Sequence, residues 1–365
     1  MMKDFLVNLD TQSIQDTAND KVIYFSFDDF MERFVRGNNC FICGASPGEK
    51  SFNDEHIIPD WILRRFKLHD EEITLPNETT MQYGKYKIRC CAACNSFLGE
   101  VLETPISKYL NEPYAKLVKK IEEDPLIVDH LFIWMCLIYI KTHLKNTTLL
   151  LERDKRLDAG KIGDRFDWHH IHHVHCMARV YYTDAKVHEK VYGSMLILPA
   201  LPAGDNEPFD YMDSVGAQCA MIRVGETCIL AVLNDSKAGQ ILLDNWLKKI
   251  SGPLTIFQLK ELFAHLVFIN LHLKERPVYY SGIGEQGYQI GVTLPEKLEL
   301  ADKAEQIVTA GELLHNYVSP LIPDDNPDRV AILQTIKEGK RSYFFNEKGE
   351  FVDYSRIPEG RYDVE

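Results

Sequence analysis

The pattern of apolar and polar positions in the last two thirds of the chain predicts strands that are followed by helices. Residues 126–150 have the pattern of a helix, and their apolar run 131–140 is about half of the ~20 residues that a membrane span needs. This run therefore predicts a buried core helix. Two apolar runs flank Gly225-Glu226, which is typical of a β-hairpin, and residues 255–273 predict a later helix. Strands followed by helices indicate an α+β domain.

The first third of the chain predicts a short extension and a cysteine-rich module. Residues 27–37 have apolar positions at helical spacing and close on a glycine, so we assign residues 1–37 to an N-terminal extension. The module spans residues 38–125 and ends at Pro125, after an amphipathic helix. We expect residues 126–365 to form a larger α+β domain whose type the sequence does not identify.

Composition and charge are those of an ordinary globular protein. Of the 365 residues, 45% are hydrophobic and 26% are charged, which excludes a disordered or fibrous protein. The formal net charge of −13 argues against a surface that binds DNA non-specifically over its whole area. A local basic stripe would still be sufficient to bind a nucleic acid. The chain begins without the basic and apolar regions of a secretory signal, so we predict a cytoplasmic protein with no membrane partner.

Four of the nine cysteines form two CxxC pairs, Cys40 with Cys43 and Cys91 with Cys94. Each CxxC turn supplies two thiolates from one loop, and two such turns are the usual ligand set of a structural zinc ion. A chance pairing of core cysteines is the alternative. Cys90 precedes the second pair, but its spacing to Cys94 is one residue too long for this turn. The five cysteines outside the two pairs are expected to be buried thiols: Cys90, Cys136, Cys176, Cys219 and Cys228.

A second motif lies between the CxxC pairs and directly after them. The sequence Glu55-His56-Ile-Ile-Pro precedes the second pair, and Asn95 follows the last cysteine. This order resembles the HNH endonuclease superfamily, and within it the phage Holliday-junction resolvases of the endonuclease VII type, over roughly residues 38–105. The resemblance implies a ββα-metal fold in which Glu55 and Asn95 hold a catalytic Mg²⁺ or Mn²⁺ and His56 is the general base.

The chemistry of these side chains agrees with those roles. A neutral histidine can take a proton from water near neutral pH, and carboxylate and amide oxygens suit Mg²⁺ or Mn²⁺. Each residue also has a structural alternative. His56 could be a core histidine, Asn95 could be an N-cap, and Glu55 could belong to a solvated acidic loop in which Asp54 takes its place as ligand. The middle residue of the family motif is not evident, and Asn77 is its nearest candidate, with a turn as the alternative.

Basic residues near the motif could hold the phosphates of a nucleic acid. Lys85, Lys87 and Arg89 alternate with other residues, so on one strand they would share a face. Arg64, Arg65 and Lys67 are expected on a helix that we predict after the Glu-His-Ile-Ile-Pro motif. A solvated polar face is the alternative for both groups.

A histidine-rich segment, residues 169–175, is unrelated to this motif. On a helix, one face would present His169, His172, His173 and Cys176. A second metal site, an interface helix and a plainly structural helix are the alternatives.

The sequence thus predicts a metal-dependent HNH endonuclease that hydrolyses phosphodiester bonds in DNA, with RNA as an alternative substrate. Its predicted cofactors are a structural zinc ion and a catalytic Mg²⁺ or Mn²⁺. The larger C-terminal domain is expected to bind a protein partner or a small ligand, and a restriction or phage-defence role fits that layout. The competing hypothesis is a non-catalytic zinc-binding interaction module built on an HNH scaffold.

Overall fold

A computed structural model describes residues 5–154, 156–157, 159–202 and 208–356. Within them the strands are β1 (Phe5–Val7), β2 (Ile14–Asp16), β3 (Lys21–Tyr24), β4 (Phe52–His56), β5 (Glu72–Thr74), β6 (Thr80–Gln82), β7 (Lys87–Cys91), β8 (Lys186–Val187), β9 (Met195–Pro199), β10 (Phe209–Ser214), β11 (Cys219–Val224), β12 (Thr227–Val232), β13 (Val278–Gly284) and β14 (Gly287–Thr293). The α-helices are α1 (Phe27–Phe30), α2 (Asp60–Arg65), α3 (Ala92–Leu98), α4 (Thr104–Leu110), α5 (Tyr114–Glu123), α6 (Leu126–Asn146), α7 (Trp168–Ala178), α8 (Val180–Thr183), α9 (Ala238–Leu242), α10 (Asp244–Leu247), α11 (Ile256–Leu271), α12 (Ala310–Val318) and α13 (Arg329–Lys337).

The chain forms two compact units, and the first comprises the residues up to Glu112, Leu117–Tyr192 and Val278–Thr293. Its strands form the sheet β1-β2-β3, the pairs β4-β7 and β5-β6, and a sheet β13-β14-β8. Helix α6 begins directly after Pro125, where we predicted the module to end. It nevertheless belongs to the same compact unit as the cysteine-rich module.

The buried core helix that the apolar run predicted is α6. It has 21 residues and is long and apolar enough to cross a membrane by length and composition, but 78% of its most apolar window is buried inside the protein. That burial is typical of the core helix of a soluble protein. The histidine-rich segment lies in helix α7, which packs against α6.

The cysteine-rich module contains the strand pair β4-β7 and helix α3. The two strands are antiparallel, with Phe52 opposite Cys91 at one end and His56 opposite Lys87 at the other. Helix α3 begins directly after β7. The predicted helix after the Glu-His-Ile-Ile-Pro motif is α2, and Pro59 is its N-cap.

Strand β7 begins later than the alternation of basic residues predicted. Lys85 lies in a 3₁₀ turn, Tyr83–Lys85, so only Lys87 and Arg89 share a face of the strand. The turn is fixed at Gly84, whose backbone N–H donates to the carbonyl of His69 at 3.0 Å. A side chain at this position would meet that carbonyl oxygen at 2.8 Å, so the chain can only approach so closely through a glycine.

The second unit comprises Pro113–Lys116, Gly193–Pro277 and the residues from Leu294 onwards. An antiparallel sheet, β10-β11-β12-β9, carries its core. The hairpin predicted at Gly225-Glu226 is confirmed, because Val224 pairs with Thr227 across it. Helix α11 confirms the helix predicted over 255–273, and its Leu259 and Phe263 pack in one cluster with Met221 of the sheet. The whole protein is mixed α and β, consistent with the predicted α+β class.

Candidate metal centres

Four buried cysteines, Cys40, Cys43, Cys91 and Cys94, lie together in the first unit, and we call them the thiol cluster. Their Sγ atoms all lie within 4.8 Å of one another. The first pair lies in a tight loop, the second at the end of β7 and on α3. Thiolates so close together would repel one another in a buried site unless a cation neutralised them. The cluster can therefore hold a metal ion such as zinc, as the CxxC spacing predicted.

Backbone hydrogen bonds shape the first loop. The N–H of Cys40 donates to the carbonyl of Ala45 at 2.9 Å, and the N–H of Gly44 donates back to the carbonyl of Cys40 at 2.8 Å. Gly44 has φ +77°, and a Cβ there would lie 2.4 Å from the ring of Phe25. The glycine after Cys43 is thus required both by the backbone conformation and by the close approach of a ring.

The thiols affect one another's pKa. Hydrogen bonds from the thiols of Cys43 and Cys90 lower the pKa of Cys40, and the hydrogen bond to Cys40 raises the pKa of Cys43 to about 11. Cys90 Sγ lies 3.7 Å from Cys40 Sγ, so a fifth buried thiol borders the cluster. Cys136, Cys176, Cys219 and Cys228 are buried free thiols, as predicted.

His175 on α7 and Arg179 directly after it form hydrogen bonds with the loop that carries Cys40 and Cys43. The Nε2 of His175 lies 2.7 Å from the carbonyl oxygen of Phe41, and the Nε of Arg179 donates to the carbonyl of Ile42 at 2.7 Å. The same guanidinium also donates to the carbonyls of Ile23 and Val22. Burial lowers the pKa of Arg179, but a guanidinium stays charged at neutral pH. Sequence reasoning missed Arg179, since nothing in its local pattern links it to Cys40.

Helix α7 contributes no ligand to the two groups of metal-binding side chains among the residues that the structure describes. His172 Nε2 lies 2.9 Å from the carbonyl oxygen of Phe25, and the ring of His173 stacks on Tyr279 with centroids 3.7 Å apart. Burial lowers the pKa of His172 to about 4 and that of His173 to about 3. These neutral histidines serve packing and hydrogen bonding.

The predicted general base, His56, is the last residue of β4 and is partly buried. Burial and the charge of Lys87, its partner across the strand pair, lower the pKa of His56. The imidazole is therefore neutral at pH 7, the form that can accept a proton or bind a metal ion.

The predicted metal ligand Glu55 forms an ion pair. Lys141, on α6, is fully buried, and its Nζ lies 2.9 Å from Glu55 Oε1 and 3.4 Å from Glu103 Oε1. It also donates to the carbonyl of His56 at 2.8 Å. Burial favours the neutral amine, but the two carboxylates outweigh it and raise the pKa of Lys141. The sequence did not reveal these contacts, because Lys141 is 86 residues from Glu55 and 38 residues from Glu103.

The second predicted ligand, Asn95, lies on α3. Its Nδ2 donates to Asn53 Oδ1 at 3.0 Å. Asn53 and Glu55 are two residues apart on β4 and so share a face of the strand. The N-cap alternative for Asn95 is wrong, because the N-cap of α3 is Cys91. Asn77 is a turn residue, as its alternative predicted, since its Oδ1 accepts from the N–H of Thr79 at 3.1 Å.

A second group of ligand-type side chains, His56, Asp60 and His69, was missed by sequence reasoning, and we call it the His56 cluster. One ligand atom of each residue lies within 4.8 Å of the others. His69 Nε2 is 2.9 Å and His56 Nδ1 is 4.0 Å from Asp60 Oδ1. Burial alone would raise the pKa of Asp60. The hydrogen bond with His69 and the charge of Arg64 outweigh burial, so the pKa of Asp60 is lowered.

The basic residues predicted to bind phosphates have different surroundings. Arg64 Nε contacts Asp60 Oδ2 at 2.6 Å, and Arg65 donates to the carbonyl of Leu110 at 2.8 Å. Arg89 is exposed, with its guanidinium 5.5 Å from the ring centroid of Phe52. Lys85 is also exposed and Lys87 partly so.

Comparisons of this chain with protein-family models, with curated proteins and with solved structures found no match.

Proposed function

We propose that this protein is a metal-dependent endonuclease of the HNH type, which hydrolyses phosphodiester bonds in DNA. The observation that carries the proposal is the succession β4, β7 and α3, with the thiol cluster at one end of the strand pair and His56 at the other. Asn95 follows the last cysteine on α3. This succession agrees with the ββα-metal fold that the sequence motif implies.

The zinc ion of this proposal is held by the thiol cluster and has a structural role. Four thiolates in a tetrahedron suit zinc, and such closed sites leave no position for substrate. The energy of metal binding would add to the stability of the strand pair and of the short helix that follows it.

In the proposed reaction His56 takes the proton from the attacking water. Its lowered pKa keeps the imidazole neutral, and its position at the end of β4 leaves the side chain 19% exposed, enough for contact with solvent. Lys87, opposite His56, supplies positive charge for the phosphate. A Mg²⁺ or Mn²⁺ ion near Glu55 and Asn95 would polarise the phosphate and stabilise the leaving oxygen.

One observation favours the second candidate, a non-catalytic zinc-binding interaction module. Glu55 already forms an ion pair with the buried Lys141, so its negative charge is neutralised without a metal ion. A scaffold that had lost its catalytic ion could be stabilised in this way.

Plasmid nicking with Mg²⁺ or Mn²⁺ distinguishes the two candidates. We expect nicking by the wild type and its loss in His56→Ala, with the zinc content retained, because removal of a general base deletes only a transition-state interaction. His315→Ala is the matched control, since this histidine is partly exposed on α12 in the second unit. A wild type that never nicks DNA, or a His56→Ala variant that nicks as fast, overturns the nuclease proposal. Parallel reactions on single-stranded RNA test the alternative substrate.

The second unit exceeds what the chemistry requires, and we propose that it binds a partner or a small ligand that licenses cleavage. A restriction or phage-defence role is the biological context that we propose for such a layout. Deleting this unit is not a clean test, because the segments of the two units alternate along the sequence.

A further inference from the structure

The His56 cluster has the composition of a transition-metal site. Two imidazoles and one carboxylate converge from three places in the chain, the end of β4, the start of α2 and the loop before β5. This donor set is common for divalent transition metals and leaves coordination positions open. It is different from the thiol cluster in every ligand.

The distances require only small movements for coordination. Ligand atoms around a tetrahedral ion with bonds of 2.0–2.1 Å lie about 3.3 Å apart. The present separations from Asp60 Oδ1 are 2.9 Å for His69 and 4.0 Å for His56. The two imidazole rings are nearly perpendicular, at 85°, with centroids 6.0 Å apart. Rotations of the side chains would therefore be sufficient, with the backbone unchanged.

Neighbouring groups hold the ligands in place. Arg64 contacts Asp60 through Oδ2, which leaves Oδ1 facing the two histidines. The backbone of His69 is fixed by the N–H of Gly84, which donates to its carbonyl. Such outer contacts orient ligands in metal sites and reduce the entropy that binding must overcome.

Exposure and charge indicate which ions fit. The side chains of His56, Asp60 and His69 are 19%, 35% and 40% exposed, so an ion and its water ligands can enter. Arg64 contacts Asp60, and Lys87 lies opposite His56, so positive charge borders the one carboxylate that the cluster offers as a ligand. A hard ion such as Mg²⁺, which depends on carboxylate charge, gains little there, whereas Co²⁺, Ni²⁺ and Zn²⁺ bind neutral imidazole strongly.

We propose that His56, Asp60 and His69 bind one divalent transition-metal ion at the end of the β4-β7 pair remote from the thiol cluster. The site shares His56 with the proposed nuclease. An ion bound at Nδ1 takes up the free lone pair of that imidazole, so metal binding here and proton abstraction by His56 are alternative states, and metal binding does not depend on nuclease activity.

The test is metal stoichiometry of the full-length protein. Zinc-loaded protein is dialysed against Co²⁺, and both metals are then measured by elemental analysis. We expect one zinc and one cobalt ion per wild-type chain, with the d–d absorption of cobalt but without a thiolate charge-transfer band. His69→Ala should keep the zinc and weaken cobalt binding by at least roughly tenfold, since even the outer contacts of metal ligands are worth 10–100-fold in affinity. His315→Ala should match the wild type.

A Glu55→Gln variant separates this inference from the proposed catalytic ion. If cobalt is retained in Glu55→Gln and weakened in His69→Ala, the His56 cluster is the site. If cobalt is lost in Glu55→Gln and binds His69→Ala as tightly as wild type, the inference is overturned while the proposed nuclease stands. A wild type that takes up no cobalt also overturns it. His69→Gln, measured in the same way, is the second variant should His69→Ala fail to fold.

Discussion

The two ends of the β4-β7 pair carry ligand groups of opposite character. At the Phe52–Cys91 end the thiol cluster is buried and consists of one kind of donor. At the His56–Lys87 end, about 14 Å away at 3.4 Å per residue, the His56 cluster is partly exposed and mixes nitrogen with oxygen. A closed site of thiolates favours structural stability, while an open site of mixed donors can exchange ligands with solvent. The difference agrees with a structural role for the first end and with the metal binding that we propose at the second.

The largest effect is expected from removing one thiol. Cys91→Ser should lose the metal ion and the folded β4-β7 pair, because apparent zinc-binding energies of ~10–16 kcal/mol in small zinc modules are folding energy. Metal analysis and thermal unfolding measure it. Cys90→Ser is the matched control, since Cys90 is the adjacent buried thiol outside the cluster. Equal metal content in the two variants would contradict the assignment of the thiol cluster.

Lys141→Met tests the ion pair that borders the other end of the strands. Removing the ammonium leaves Glu55 and Glu103 without their buried partner, and breaking such pairs typically costs about 3–5 kcal/mol. Chemical denaturation of wild type and variant measures the free energy of unfolding. The triple variant Lys141→Met, Glu55→Gln, Glu103→Gln should recover much of the loss, because it removes the uncompensated charges as well. A single variant as stable as the wild type at pH 7 would show that the pair contributes little.

The same variant should respond to pH in a defined direction. Burial raises the pKa of Glu103, so the folded state binds its proton more tightly than the unfolded chain does. The stability of Lys141→Met should therefore rise as the pH falls from 7 through that raised pKa. In the wild type the raised pKa of Lys141 stabilises the fold below the pKa of an unfolded lysine, about 10.4, and this contribution is lost as the pH rises through the raised value.

How much the sequence could predict differs between the two ends for a physical reason. The thiol cluster was predictable because each CxxC turn fixes two ligands locally and only one long-range pairing is then needed. Long elements with strong periodicity, such as α6 and α11, were predictable as well, since burial of an apolar run does not depend on a particular partner. The hairpin at Gly225-Glu226 followed from local turn chemistry.

The His56 cluster and the Lys141 ion pair were not predictable from any local pattern. Asp60 and His69 join His56 only because α2 and the turn at Gly84 bring the loop back. Lys141 lies within the most apolar stretch of the chain, where a lysine is expected to interrupt a core helix rather than to hold two carboxylates. The late start of β7 also depended on a tertiary contact, the close approach of Gly84 to His69.

Arg179→Met should weaken the thiol cluster from outside it. The variant removes the hydrogen bonds that Arg179 donates to the carbonyls of Ile42, Ile23 and Val22, and a buried group left unsatisfied costs about 1–3 kcal/mol. It also removes a buried positive charge near the thiol cluster, whose net charge would be negative with four thiolates around one zinc ion. Competition with a chromogenic chelator should show faster zinc loss than in wild type. Arg179→Lys should lie between the two, because one ammonium can keep the charge but not all three bonds. Zinc retention equal to wild type in Arg179→Met would contradict this role.

The smallest effect concerns the basic residues around β7. If Lys85, Lys87 and Arg89 hold phosphates, replacing all three by Ala should weaken DNA binding and lower its salt dependence by up to ~0.9 in log–log slope per contact removed, since each contact releases condensed counterions. A fluorescence-anisotropy titration at several salt concentrations measures the slope.

Lys248→Ala with Lys249→Ala is the control, because it removes positive charge from the second unit. The net charge of −13 makes the comparison sensitive, since attraction from the rest of the surface is weak or repulsive. Because Lys85 lies in the preceding turn, Lys87→Ala with Arg89→Ala should account for most of the loss. An unchanged slope with zinc retained would show that this face is merely solvated, and would direct the search for the DNA-binding surface to Arg64 and Arg65 on α2.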